Sequence, residues 1–127
     1  RKLPTCFAVN VTRSRDHMTV FKQIIDGLID CEKVFENENF IAIKDRFPQA
    51  PVHLLIIPKK PIPRFQDIPG DEMILMAEAG KIVQELAAEF GIADGYRVVI
   101  NNGAEGGQAV FHLHIHLLGG RPLGAIA

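Results

Sequence analysis

The chain is predicted to be an α+β domain, an antiparallel sheet of about five strands with one short and one long helix. Three observations predict this. Five short runs rich in Val, Ile, Leu and Phe are separated by Asn, Gly and Pro, the pattern of strands and turns. Between the third and fourth runs, residues 71–90 carry apolar side chains at helical spacing. The fifth run, Phe111 to Gly120, alternates histidine with aliphatic residues. Strands grouped on either side of a helix, without regular βα repetition, belong to the α+β class, here expected as a meander. At 127 residues and 47% hydrophobic content the chain is one domain with enough apolar mass for a core.

Residues 1–17 differ from the rest of the chain. Arg1, Lys2, Arg13 and Arg15 against Asp16 give this stretch a net charge of +3, and the remainder −4. Cys6-Phe7-Ala8-Val9 is too short for a secretory apolar core. We read 1–17 as an upstream or non-native extension, expected to be poorly ordered, ahead of a domain spanning 18–127. Thr19 can cap a short helix that Gly27 ends, with Phe21, Ile24, Ile25 and Leu28 on one face.

Lys33–Glu36 and Phe40–Asp45 flank the turn residues Asn37-Glu38-Asn39 and read as a hairpin. Asp45 ends its strand just before Pro48 and Pro51, where it can cap a turn or accept the hydroxyls of a sugar. Val52 to Lys60 is nearly continuous in apolar residues and reads as a central strand buried on both faces. Pro61, Pro63 and Pro69-Gly70 punctuate the next connection. Asp71 is the candidate N-cap of the long helix and Gly91 its stop. Leu75, Ala79, Ile82, Val83, Leu86 and Phe90 form the apolar stripe, and Glu78, Lys81, Glu85 and Glu89 the solvated face. Gly80 costs ~1 kcal/mol in helix propensity against Ala, which fits either close approach of another backbone or a tolerated surface glycine. Tyr96–Asn101 reads as a strand. The glycine-rich loop Asn101 to Gln108 can turn backbone N–H groups toward an anion.

Net charge of −1 argues against a general nucleic-acid binder, and no apolar run approaches the ~20 residues of a membrane span. Cys6 and Cys31 lack metal-knuckle spacing. A disulfide between them is left open. In a cytoplasmic protein, the location expected here, Cys31 stays reduced.

The histidine run carries the chemistry. In a strand, His112, His114 and His116 share one face while Leu113, Ile115 and Leu117 fill the other. The outer two lie about 13 Å apart along an extended chain, too far for all three to hold one metal ion at ~2.0–2.1 Å. Such a row suits an extended polyanion, with one ring reacting and its neighbours holding oxygens. A metal-binding strand is the rival reading of the row, and satisfied core histidines the bland one.

His112-Leu113-His114-Ile115-His116-Leu117-Leu118 resembles the signature of the histidine triad (HIT) superfamily. The flanking Gly106-Gly107-Gln108 and Gly119-Gly120-Arg121-Pro122 resemble its Hint branch of purine nucleoside phosphoramidases, of bacterial type. The resemblance implies a HIT-like fold whose sheets join across a homodimer. It also implies hydrolysis of nucleoside 5′-phosphoramidates and related nucleotidyl adenylates, with His114 as nucleophile, His112 and His116 flanking it, and His53 extending a proton relay. Substrate contacts are implied at Phe21, Ile24, Ile43, Lys44, Asp45 and Arg46, and at Asn101, Gly107, Gln108, Ala109 and Val110. Backbone amides of Gly107 to Val110 would hold the transition-state oxygens. No metal and no cofactor is implied; the partners are a purine nucleotide (AMP or GMP moiety) and a second copy of the chain. Two positions depart from the branch: Arg46 replaces an aliphatic residue, leaving base preference open, and Ala109 replaces a hydroxyl. The tail after Arg121 lacks aromatic residues, so the leaving group is not readable. A nucleotide-binding regulator with incidental turnover and a dinucleoside polyphosphate hydrolase are the alternatives.

Overall fold

The structure, a computed structural model, describes residues 19–127. The expectations for residues 1–17 lie outside that range.

The first helix, α1 (Val20–Ile25), starts where expected. Thr19 is its N-cap, with the side-chain oxygen accepting the Lys22 N–H at 3.1 Å. Gly27, at φ +79°, turns the chain out of it. Leu28 therefore falls past the helix end and is 66% exposed, not part of the expected stripe. Strands β1 (Lys33–Glu36) and β2 (Phe40–Lys44) form the expected hairpin. The Asn37 carboxamide oxygen accepts the N–H groups of Asn39 and Phe40, which closes the turn. Glu78, expected to be solvated, instead accepts from the side chains of both Asn37 and Asn39 and ties the turn to the long helix.

Strand β3 (Val52–Pro58) is central, paired antiparallel to β2 on one side and to β5 (Ile115–Gly119) on the other. The long helix, α2, spans Ile74–Glu89. Its start corrects the expected Asp71 cap. Residues Gly70–Glu72 form a separate 3₁₀ turn with no side-chain cap, and the helix proper begins after Met73. Its end is as read, with Gly91 at φ +74° and the Gly91 and Ile92 N–H groups returning to Ala88 and Ala87. An added Cβ at Gly80 would meet nothing within 4 Å, so among the described residues no backbone from another element approaches it.

Strand β4 (Tyr96–Val99) lies at the sheet edge, giving the order β1-β2-β3-β5-β4. The sheet is antiparallel throughout but is not the simple meander expected. The chain crosses on α2 to the edge and then inserts β5 between β3 and β4. The burial of β5 explains this. Ile115, Leu117 and Gly119 are all buried, whereas β4 exposes Tyr96 and Val98.

Alternation sorts the sheet into two apolar layers. Phe40, Ala42, Leu54, Ile56, Ile115 and Leu117 pack under α2. Ile41, Ile43, Leu55 and Ile57 face α1, with Phe21 and Ile24. Since Ile115 and Leu117 belong to the α2 layer, His116 is on the α1 face, directly opposite Leu55 and Val99. Among the described residues no helix is long and apolar enough to cross a membrane.

Candidate functional site

Two features of the sequence bring the histidines together. The run 112–116 alternates, so its aliphatic members anchor it: Leu113 packs with Ile62 and Ile68, and Ile115 and Leu117 pack under α2. The regular ladder begins only at Ile115, later than expected. The preceding segment is held instead by the Leu113 N–H, which donates to the Ile62 carbonyl at 2.7 Å. The register of β3 against β5 then sets His53 two pairs along from the Leu55–His116 pair, on the same face of the sheet. The ring centroids of His114 and His116 lie 5.1 Å apart, and those of His53 and His116 5.2 Å. Phe21 on α1 stands edge-on to both His112 and His114.

The hydrogen bonds fix the proton on each ring. The Nδ1 of His114 lies 2.7 Å from the His112 carbonyl oxygen, which can only accept, so Nδ1 carries hydrogen and Nε2 keeps the lone pair. His112 donates from Nε2 to the Pro58 carbonyl at 2.8 Å. The Gln49 N–H donates to His53 Nδ1 at 3.0 Å, which places the His53 proton on Nε2. That proton points to His116 Nδ1, 2.9 Å away, so His116 carries its own proton on Nε2. The electrostatics agree with neutral rings. Burial lowers the pKa of His112, His114 and His53, and takes His116 down to about 4, reinforced by neighbouring His114 and His53. Asp45 acts the other way on His53, His114 and His116.

Asp45 stands at the end of β2, its N–H donating to the His53 carbonyl. One carboxylate oxygen accepts the Phe47 N–H at 2.8 Å, the turn-cap contact; the other is 3.4 Å from His53 Nε2. Ligand atoms of Asp45, His53 and His116 lie within 4.8 Å of one another, a spacing a cation could bridge. The surroundings of His53 do not fit one. A metal on Nε2 would force the ring's proton onto Nδ1, against the Gln49 N–H, whereas metal-bound histidines turn their free N–H toward an acceptor.

The glycine-rich loop is a built structure. Gly103 (φ +80°) and Gly107 (φ +94°) bracket a 3₁₀ turn, Ala104–Gly106. Gln108, 5% exposed, staples it. Its side-chain oxygen accepts the Gly103 N–H, and its amide group donates to the carbonyls of Pro63 and Val110. The Gly107 and Gln108 N–H groups are used within the turn. Of the four expected anion-binding amides, Ala109 and Val110 are the two with no acceptor among the described residues. The Asn101 side chain lies beside Gly107. Phe21, Ile24 and Ile43 form one buried cluster with Val110 at its margin, while Lys44 and Arg46 are exposed and Arg46 sits over the Phe47 ring. Sequence reasoning missed the Gln49 amide and the Pro58 carbonyl, because backbone groups leave no residue-type signal. Cys31 is disulfide-bonded, which corrects the expectation that it stays reduced and agrees with the alternative left open.

Known proteins resemble this chain in sequence and in fold. The HIT domain profile matches residues 26–123. An uncharacterized HIT-like protein of Chlamydia trachomatis is 70% identical over 109 residues, covering 86% of this chain and 98% of that one. The crystal structure of a HIT family hydrolase from Legionella pneumophila superposes with a TM-score of 0.80 at 45% identity, covering 82% of this chain and 94% of the other. A hypothetical histidine triad nucleotide-binding protein from Sulfolobus tokodaii gives a TM-score of 0.69 at 35% identity, over 77% and 66% of the two chains.

Proposed function

The chain belongs to the HIT domain family, and from that premise we propose that it hydrolyses nucleoside 5′-phosphoramidates and related nucleotidyl adenylates through a nucleotidyl-histidine on His114. The observation that carries this reading is the proton placement. His114 holds its hydrogen on Nδ1 against the His112 carbonyl and so offers a neutral Nε2 lone pair, the form a nucleophile needs. Relatives described as a hydrolase and as a nucleotide-binding protein support the class of reaction.

The reaction has two balanced steps. The His114 Nε2 pair attacks the α-phosphorus, the phosphorus–nitrogen bond breaks, and the departing amine leaves with a proton from His116. Water then attacks the same phosphorus, the bond to His114 breaks with its pair returning to Nε2, and the proton from water restores His116. Phosphate charge offsets the burial that keeps His116 neutral in the free protein, so on binding the ring takes up one further proton, and passing its Nε2 hydrogen to the amine returns it to the neutral form. The Ala109 and Val110 amides are the donors for the phosphoryl oxygens, replacing the hydroxyl that Ala109 lacks. Asp45 accepts from the ribose, and the purine inserts beside Phe21, Ile24 and Ile43, with Lys44 and Arg46 at the rim. The polarity around His53 favours metal-independent turnover. The exposed edge of β4, with Val98 at 45%, suits pairing with a second copy.

A panel of AMP and GMP derivatives carrying amine, alkoxide and pyrophosphate leaving groups tests this reading. Fastest turnover of the phosphoramidates, unchanged in chelator and abolished in His114→Ala, is expected. Preference for the pyrophosphate-linked substrates would move the chain to the dinucleoside polyphosphate alternative, and tight binding without turnover to a regulatory role.

A further inference from the structure

The segment Gly119-Gly120-Arg121-Pro122 has no part in the chemistry above, yet it reaches back to the site. Gly120 sits at φ +102°, where its missing side chain leaves room for Pro51; an added Cβ would lie 2.9 Å from the Pro51 Cβ. This close approach brings Arg121 over the loop beyond β2. Its guanidinium donates to the Gln49 carbonyl at 2.7 Å, and a second nitrogen donates to the Pro122 carbonyl at 2.8 Å, which holds the guanidinium in place. Gln49 is the residue whose N–H caps His53 Nδ1.

We propose that Arg121 is a positioning residue: by clamping Gln49 it aims that residue's N–H at His53 and so locks the relay in one direction, with the protons of both His53 and His116 on Nε2. Hydrogen-bond polarity is the cause. An amide N–H cannot accept, so a proton on His53 Nδ1 would face another donor. With Nδ1 barred, the His53 proton stays on Nε2 and occupies the His116 Nδ1 lone pair. His116 is then left as the tautomer that presents N–H at Nε2 and cannot turn a lone pair there. The same strand, β5, thus carries His116 and leads directly into the clamp that sets its proton. Asp45, 3.4 Å from His53 Nε2, is an acceptor on the same side and adds to the bias. The inference rests on the phosphoramidase reading for its purpose, since a donor at His116 Nε2 matters for a leaving nitrogen. The tautomer lock itself is a property of the free protein.

The test uses the full chain labelled with ¹⁵N at histidine and long-range ¹H–¹⁵N correlation, which reads the protonated nitrogen of each ring. Wild type should show His53 and His116 as single Nε2–H tautomers. Arg121→Ala, and Gln49→Pro, which deletes the N–H, should each shift the His53 tautomer ratio toward Nδ1–H by roughly five- to tenfold, about the worth of one net hydrogen bond. Gln49→Ala keeps the N–H and should keep the wild-type spectrum. In kinetics Arg121→Ala should lower kcat more for a strongly basic amine leaving group than for a nitrophenolate, which departs without a proton, with KM little changed. A mixed or Nδ1–H state of His53 in wild type would overturn the lock. So would an unchanged His53 spectrum in Arg121→Ala, whatever the fate of Gln49→Pro. If the tautomers shift as stated while wild type turns over no phosphoramidate, the lock stands and the functional reading falls.

Discussion

Gln108→Ala separates a loop staple from a substrate ligand. The side chain is 5% exposed and makes three hydrogen bonds, to the Gly103 N–H and to the Pro63 and Val110 carbonyls. Truncation leaves these groups without their partner. A buried group so abandoned costs ~1–3 kcal/mol. Pro63 is exposed and Gly103 half-buried, so water repairs part of the loss and the lower end applies, ~2 kcal/mol overall. For a domain near this size, that lowers the melting temperature by about 8 °C. The same change frees the segment bearing the Ala109 and Val110 amides, so kcat should fall at least tenfold. Urea denaturation followed by far-UV circular dichroism gives the stability, and steady-state kinetics on a phosphoramidate gives the rest. Gln108→Glu should be no better, because it sets a carboxylate oxygen against two carbonyls. If Gln108→Ala melts with the wild type and only KM rises, Gln108 binds substrate directly and is no staple.

Acid should destabilise the fold. The folded-state pKa of His116 lies at about 4 against 6.5 when unfolded, so the unfolded chain binds the extra proton. Its stabilising contribution is complete above pH 6.5 and is lost as pH falls toward 4; at ~1.4 kcal/mol per unit, discounted for partial exposure, this is ~2 kcal/mol. His53, His112 and His114 shift the same way and deepen the loss; a flat urea midpoint from pH 7 to 5 would contradict it. Gly120→Ala should cost ~2–4 kcal/mol, combining a left-handed φ with overlap on Pro51, and a wild-type melting curve would contradict that. Asp45→Ala should raise KM several-fold for ribonucleotide substrates and little for 2′-deoxy analogues, since a hydrogen bond to a charged group is worth ~1.5–3 kcal/mol; equal losses would reduce Asp45 to its contact with the Phe47 N–H.

Much of this architecture is legible in residue order. Thr19 and Gly27 mark α1, Asn37 marks the hairpin, and Gly91 ends α2, because each position needs a property few residues supply. The histidine face follows from alternation alone. The start of α2 was not legible. Asp71 has the right chemistry for a cap, but Pro69 and Gly70 lead into a 3₁₀ turn first. Nor was the place of β5, because strand order depends on which strand buries more area once α2 has crossed the sheet. In the site, residue type pointed to Asp45 and the family resemblance to His53, but neither could give the proton on any ring. That is set by backbone groups at Gln49, His112 and Pro58, brought in by the fold from distant parts of the chain.

The proposed reaction requires His114 to form the covalent intermediate. Its Nε2 alone among the three triad rings combines a free lone pair with a histidine on each side. Rapid quench of the wild-type protein with a phosphoramidate labelled in the nucleotide, with peptide mapping under alkaline conditions, should recover one acid-labile nucleotidyl adduct, on His114, formed and lost at rates that account for kcat. An adduct on His112, His116 or His53, or turnover at the wild-type rate with no adduct, would contradict it.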